Sequence, residues 1–255
     1  MGRSVAVVPV VRSSDPVEGV RLVTLDRPPA NAINGELLEA LDAALADAEG
    51  DDAVRAVVLT GAGRFFSGGF DLKSGGGDQS EMAVLYKAAN RRLLAIPKPT
   101  IAMIGGHCIA GGFVLAMACD QRLVAEGDYT IGVNEVAIGA AWPVAAMEIM
   151  RLRLRDDLLS ELMLGAGLHP ATEAVRLGLA HRVVPAAALE EAALSLATDL
   201  ARYPHEVYAD TKARLVGDAV ARIDATPLDE DLRITALWVT EESRAARRRG
   251  PVGRS

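Results

Sequence analysis

Twice in this chain an apolar, β-branched run ends in a glycine-rich stretch that leads on to a helix. In the first pass, Val54 to Thr60 reads as a buried strand, Gly61 to Gly77 as a glycine-rich loop, and roughly 81–95 as a helix stopped by Pro97. In the second, Thr100-Ile101-Ala102-Met103-Ile104 is a short buried strand that runs into Gly105-Gly106. Gly111 to Ala118 follows as a helix apolar on every side, which places it inside a core. A strand-and-helix unit that repeats in this way restricts the chain to the α/β class.

The flanks extend that pattern. Val5-Ala6-Val7-Val8 and Val20 to Leu25 read as strands, with Ser13-Ser14-Asp15-Pro16 as the turn between them. Arg27 to Asn34 contains two successive prolines and forms no regular element. Asn34 is an N-cap for a helix whose apolar stripe is Leu37, Leu38, Leu41, Leu45 and Ala48, closed by Gly50. Gln121 to Ala125 and His181 to Val184 read as strands. Leu158 to Leu164, Ala171 to Leu177 and Ala187 to Arg202 carry helical stripes, and strands stop near 185–204. The expected organisation is a core over residues 1–195 and a helical region over 196–255.

At 255 residues, half of them apolar, the chain can fill one large core. Its net charge of −7 argues against nucleic acid as a partner. Cys108 and Cys119 give neither a zinc spacing nor a disulfide framework, which suits a reducing compartment. The run Val5 to Val11 is interrupted by Pro9 and too short to span a bilayer, so a soluble cytoplasmic protein without a membrane partner is expected.

Two glycine segments carry the candidate chemistry. Four glycines fall within nine residues after Thr60. Composition alone suits a flexible surface loop there, but Phe65, Phe66 and Phe70 would be costly on a free loop. In the second segment, glycines ahead of an apolar helix expose its first amides to a ligand, or simply allow close helix–strand packing. Neither a Gly-Lys-Ser/Thr ending nor a Gly-x-Gly-x-x-Gly occurs, so nucleotide P-loop and dinucleotide sites are unsupported.

Together these segments resemble the enoyl-CoA hydratase/isomerase (crotonase) superfamily. The likeness runs from about Val20 to Leu200 and rests on several motifs in order. They are Pro28 to Asn34, Ser67 to Lys73, Lys98 to Ala102, Gly105 to Asp120, Gly132 to Gly139 and Ala174 to Pro185. The resemblance implies a crotonase (ClpP/crotonase-like) spiral of repeated ββα units with a C-terminal helical trimerisation region. It also implies an acyl-CoA thioester substrate, a homotrimer or dimer of trimers, and no metal or other cofactor. The oxyanion hole would be the backbone amides of Phe70 and Gly111, although Phe70 departs from the small residue usual there. Pro29, Ala30, Gly68, Gly69 and Lys73 fall where the family meets its substrate, Pro29, Ala30 and Lys73 on the CoA part; a plain surface lysine describes Lys73 equally well.

Hydratases of this family place a glutamate three residues after the second oxyanion glycine; here that residue is Val114. The family's second carboxylate position is Glu135, and an apolar neighbourhood there would raise its pKa. One carboxylate suffices for a 1,3-proton shift. Asn134-Glu135 followed by Trp142-Pro143 is similar to the Δ3,Δ2-enoyl-CoA isomerase branch, and Pro143 disfavours the dienoyl-CoA branch, which would want an aspartate there. The expected activity is therefore Δ3,Δ2-enoyl-CoA isomerisation with Glu135 as acid and base and Val114 as a wall of the acyl pocket. Hydration, thioester hydrolysis and non-catalytic acyl-CoA binding are the alternatives. Phe66, Phe113, Trp142 and Met147 are further pocket candidates, while His107, Asp71 and Asp120 read as structural. The cluster Arg244, Arg247, Arg248 and Arg249 reads as a solvated helix end or a CoA phosphate contact.

Overall fold

The computed structural model describes residues 9–71 and 79–249. The chain opens with β1 (Val11–Val17), β2 (Val20–Leu25) and α1 (Gly35–Gly50). Three successive units follow: β3 (Ala56–Gly61), β4 (Phe65–Ser67) and α2 (Gln79–Ala95); β5 (Thr100–Ile104), β6 (His107–Ile109) and α3 (Gly111–Ala118); then β7 (Gln121–Ala125), β8 (Thr130–Gly132), a 3-10 turn at Val136–Ile138 and α4 (Val144–Arg153). The remainder is α5 (Asp156–Gly165), β9 (Leu168–Pro170), β10 (Arg182–Val184), α6 (Leu189–Ala201), α7 (His205–Ala225), α8 (Leu228–Ala236) and α9 (Glu241–Arg249).

Each unit lays its first strand in one sheet and its second in another. The larger sheet has the order β1-β2-β3-β5-β7-β10 and the smaller β4-β6-β8-β9. Pairing is parallel except for β1 on β2 and β9 on β8. The third unit escapes a reading of sequence pattern because eleven residues of loop and 3-10 turn separate its helix from its loop-side strand. β4, β6, β8 and β9 are three residues each, too short for an alternation to register.

Helix α1 forms as its sequence dictates. The Asn34 side chain accepts from the Leu37 N–H at 3.0 Å, a cap worth about 1 kcal/mol. Leu37, Leu38, Leu41, Leu45 and Ala48 are fully buried against the sheets, each leucine contributing about 1.5–3 kcal/mol. Two expectations fail. Ser13 to Pro16 lies inside β1, and the chain reverses instead at Glu18-Gly19. β1 is an edge strand whose register shifts between Ser14 and Val17, and that irregularity tolerates Pro16. Ala171 to Leu177 forms a 3-10 turn and further turns in place of a helix, because Pro170 and Gly178 leave too little chain between them. Val5 to Val8 lies outside the described residues.

The C-terminal part docks through polar as well as apolar contacts. Residue 195 falls within α6, whose Ala193 and Ala197 pack with Val58, Ile101 and Leu123 of the large sheet. On α7 the buried Lys212 ammonium donates to Asp120 Oδ2 at 2.8 Å and to the Lys98 carbonyl at 3.1 Å. Tyr208 donates to the same Asp120 oxygen at 3.0 Å. Asp120 is thus an anchor for the C-terminal helices, as its place at the head of β7 suggested. Among the described residues no helix is long and apolar enough to cross a membrane.

Candidate active site

The small sheet assembles the site. β4, β6 and β8 are parallel neighbours, with Ser67 opposite Cys108, Cys108 opposite Ile131 and Ile109 opposite Gly132. Neighbouring strands lie about 4.8 Å apart, so their C-terminal ends open side by side. Phe70 follows β4, Gly111 follows β6 and Glu135 follows β8, each within three residues. All three line one cavity, together with Tyr86, Trp142 and Trp238.

Backbone geometry frees the first donor. Ile33 and Phe70 form a parallel bridge in which the Ile33 N–H donates to Gly69 O at 2.8 Å and the Asp71 N–H donates to Ile33 O at 2.9 Å. A strand alternates its amides, so the Phe70 N–H faces the other way. The second donor is the Gly111 N–H. As the first residue of α3 it has no intrahelical acceptor, and the helix dipole adds positive potential there. Ala110 takes φ 53° to make the corner, and its own N–H donates to Gly132 O at 2.9 Å. α3 abuts β4 directly: a Cβ on Gly112 would lie 2.5 Å from Ser67 Cβ and 2.6 Å from Ser67 O.

Asn31 fixes the approach to this corner. Buried, it donates through Nδ2 to Phe65 O at 2.7 Å and to Ala62 O at 3.0 Å, and its Oδ1 accepts from the Arg27 N–H at 2.9 Å. Arg27 in turn donates to Asp71 Oδ2 at 2.8 Å, so Asp71 holds its loop as expected.

The carboxylate side is built differently. Glu135 heads the 3-10 turn, its carbonyl accepting from the Ala140 N–H at 2.8 Å. Its side chain is 7% exposed, and burial pushes its carboxyl up to about 8, against the opposing pull of the Glu135 and Asn134 backbone amides. Among the described residues Glu135 Oε2 has no hydrogen-bond partner, and neither do Asn134 Oδ1 and Trp142 Nε1. Buried polar atoms without partners are rare in folded proteins, and two of these line a cavity with Glu135. The loop that carries Glu135 is braced from the C-terminal part. Trp238 Nε1 donates to Ala141 O at 2.8 Å, while Arg247 donates to Ile138 O at 3.3 Å and to Trp238 O.

Of the residues expected at the site, Gly68, Phe70, Gly111, Glu135, Trp142 and Pro143 line the cavity. Ala30 adjoins it, its carbonyl accepting from the Gly68 N–H at 2.8 Å; Pro29 is exposed on the same loop and Gly69 is buried behind it. Val114 is a correction: it is fully buried, packed in the core cluster, and is not among the residues that line the cavity. Phe66 and Phe113 are likewise core residues, and Met147 packs at the core's edge. His107 accepts the Thr130 N–H at 3.2 Å and is held beside β8. Lys73 lies outside the described residues. Tyr86 and Trp238 were not foreseen. Tyr86 sits mid-helix among apolar neighbours, and Trp238 lies in the segment between α8 and α9, so neither position advertises a site.

Residues 16–247 match the family model described as enoyl-CoA hydratase/isomerase. A putative enoyl-CoA hydratase of Thermus thermophilus is 33% identical over 221 residues, 83% of this chain and 85% of that protein. The apo structure of a Mycobacterium tuberculosis enoyl-CoA isomerase superposes with a TM-score of 0.80 at 32% identity, covering 88% of this chain and 98% of the other. Human mitochondrial Δ3,Δ2-enoyl-CoA isomerase shares the fold, with a TM-score of 0.88 at 24% identity over 94% of this chain and 96% of that one.

Proposed function

This chain belongs to the enoyl-CoA hydratase/isomerase family of enzymes, and we propose that it is a Δ3,Δ2-enoyl-CoA isomerase. The substrate is a 3-enoyl-CoA, whose thioester oxygen accepts from the Phe70 and Gly111 amides. Glu135 removes a C2 proton; the C–H electron pair forms a C1=C2 enolate bond conjugated with C3=C4, and negative charge gathers on the oxygen between the two donors. The same carboxyl then returns the proton to C4, leaving a C2=C3 double bond. Preorganised amides of this kind are worth about 2.7–4 kcal/mol of barrier each. A carboxyl titrating near pH 8 suits both directions of transfer near neutrality. The proton shift changes no oxidation state, so the reading requires no metal or redox cofactor.

The observation that carries this reading is the lining of the cavity, in which Glu135 is the single carboxylate among the described residues. Hydration is the second reading, favoured by relatives described as enoyl-CoA hydratases. It calls for a second acid, and the position in question holds the buried Val114. The test is to supply a 3-enoyl-CoA and a 2-enoyl-CoA to the same preparation and follow conjugation and loss of conjugation. Conjugation that Glu135→Gln abolishes supports isomerisation. Hydration as the faster process overturns it, and binding without turnover of either thioester leaves an acyl-CoA-binding protein. We further propose a homotrimer or dimer of trimers in the cytoplasm, in which exposed Val136, Leu164 and Leu215 would gain cover.

A further inference from the structure

We propose that the site selects short acyl chains, because the Phe70 ring, braced by Tyr86 and Trp238, closes the acyl end of the cavity. The inference rests on the acyl-CoA reading above, though not on which reaction Glu135 runs. With the thioester oxygen between the Phe70 and Gly111 amides and C2 to C4 facing Glu135, the tail must run on into the space bounded by Phe70, Tyr86, Ala146 and Trp238. That space is walled by rings in contact. Phe70 stands 4.7 Å from Tyr86 and 4.9 Å from Trp238, centroid to centroid, the latter nearly edge-on. On its other side the Phe70 ring reaches the oxyanion corner itself: a Cβ on Gly111 would lie 3.1 Å from Phe70 Cε2.

None of the three rings turns aside easily. Tyr86 is 1% exposed on α2, and its hydroxyl donates to Gly111 O at 3.4 Å, so it is packed into the core cluster. Trp238 is pinned through Nε1 to Ala141 O. Both tryptophans of the chain line this one cavity. A side chain as large as phenylalanine at an amide-donor position therefore fills volume that an acyl tail would otherwise take.

The test is equilibrium binding of saturated butanoyl-, octanoyl- and dodecanoyl-CoA, which cannot isomerise, to the wild type, Phe70→Ala and Trp238→Ala. In an open apolar slot each buried methylene tightens binding roughly fourfold. The wild type is expected to gain nothing beyond butanoyl, whereas each variant is expected to bind dodecanoyl-CoA at least about tenfold tighter than butanoyl-CoA. Steady tightening with length in the wild type overturns the proposal, as does a flat profile retained by both variants. Failure of every acyl-CoA to bind removes the acyl-CoA reading and this inference with it. A short-chain profile without turnover of but-3-enoyl-CoA upholds the inference and overturns only the isomerase assignment.

Discussion

The two sides of the active site are made by opposite means. The amide side uses backbone alone: a strand alternation that frees the Phe70 N–H, and a helix start, turned by Ala110 at φ 53°, that frees the Gly111 N–H. Its precision comes from strands and a helix in direct contact. The carboxylate side uses one side chain on a 3-10 turn, and its character comes from what covers it, including Trp238 and Arg247 from the far end of the chain. A hole for negative charge needs only geometry, while a base poised near neutral pH needs a cover that keeps water out. The first is therefore local, and the second recruits distant sequence.

Breaking the amide side has the larger consequences. Val114→Glu tests the helix that supplies Gly111, and the outcome turns on Val114 being core. A carboxylate there has no partner and costs about 3–5 kcal/mol, a large share of a typical stability, so thermal unfolding should show a sharply lower Tm and activity assays no gain of hydration. A stable variant that hydrates 2-enoyl-CoA would place residue 114 at the site after all. Next, Gly112→Ala inserts a methyl where Ser67 stands and pushes α3 off β4. The loss in kcat is expected to be about 10²–10³-fold, and steady-state kinetics at fixed pH would register it.

The carboxylate side should respond to lesions of its cover by a change of pKa. Arg247→Ala removes the bonds to Ile138 O and Trp238 O. Gly139→Ala does more, because Gly139 sits at φ 67° and its Cβ would lie 2.5 Å from Ser243 Cα of α9. Both should admit water, lower kcat by roughly tenfold, and move the rising limb of the pH–rate profile from about 8 toward the ordinary carboxylate value. An unshifted limb would mean that α9 plays no part in setting the base.

A separate effect concerns stability against pH and appears only above about pH 5. Folded Glu135 keeps its proton up to about pH 8, whereas the unfolded chain releases it near 4.5. The folded residue stays protonated across that window while the unfolded chain ionises, so stability falls as pH rises from about 4.5 to about 8. Glu135→Gln should therefore raise Tm little at pH 5 and by roughly ten degrees at pH 9, in calorimetric scans of both proteins.

The same contrast governs what could be read from residues alone. α1 was legible in full, since a cap and a stripe are local signals that packing then obeyed. The glycine runs marked the two corners, but Phe70 and Gly111 were singled out there only through resemblance. Glu135 stood out through resemblance, and its burial followed from apolar neighbours. Tyr86 and Trp238 stayed hidden, for their roles depend on which distant segments meet. Val114 was misplaced for a related reason: an all-apolar helix carries no periodicity to say which side faces a ligand.

The small sheet also sets how many groups the scaffold can present. Each parallel strand hands one functional element to the same rim, and three strands fill it. The fourth, β9, runs the other way, so its exit opens on the opposite edge. Chemistry in this architecture is rationed to three berths, and any additional acid must be carried in by a helix. Substrate preference faces no such ration, since the rings that meet Phe70 come from α2 and from the C-terminal segment, outside the sheet altogether. The groups that run the reaction and the rings that gauge the substrate are thus supplied by separate parts of this chain.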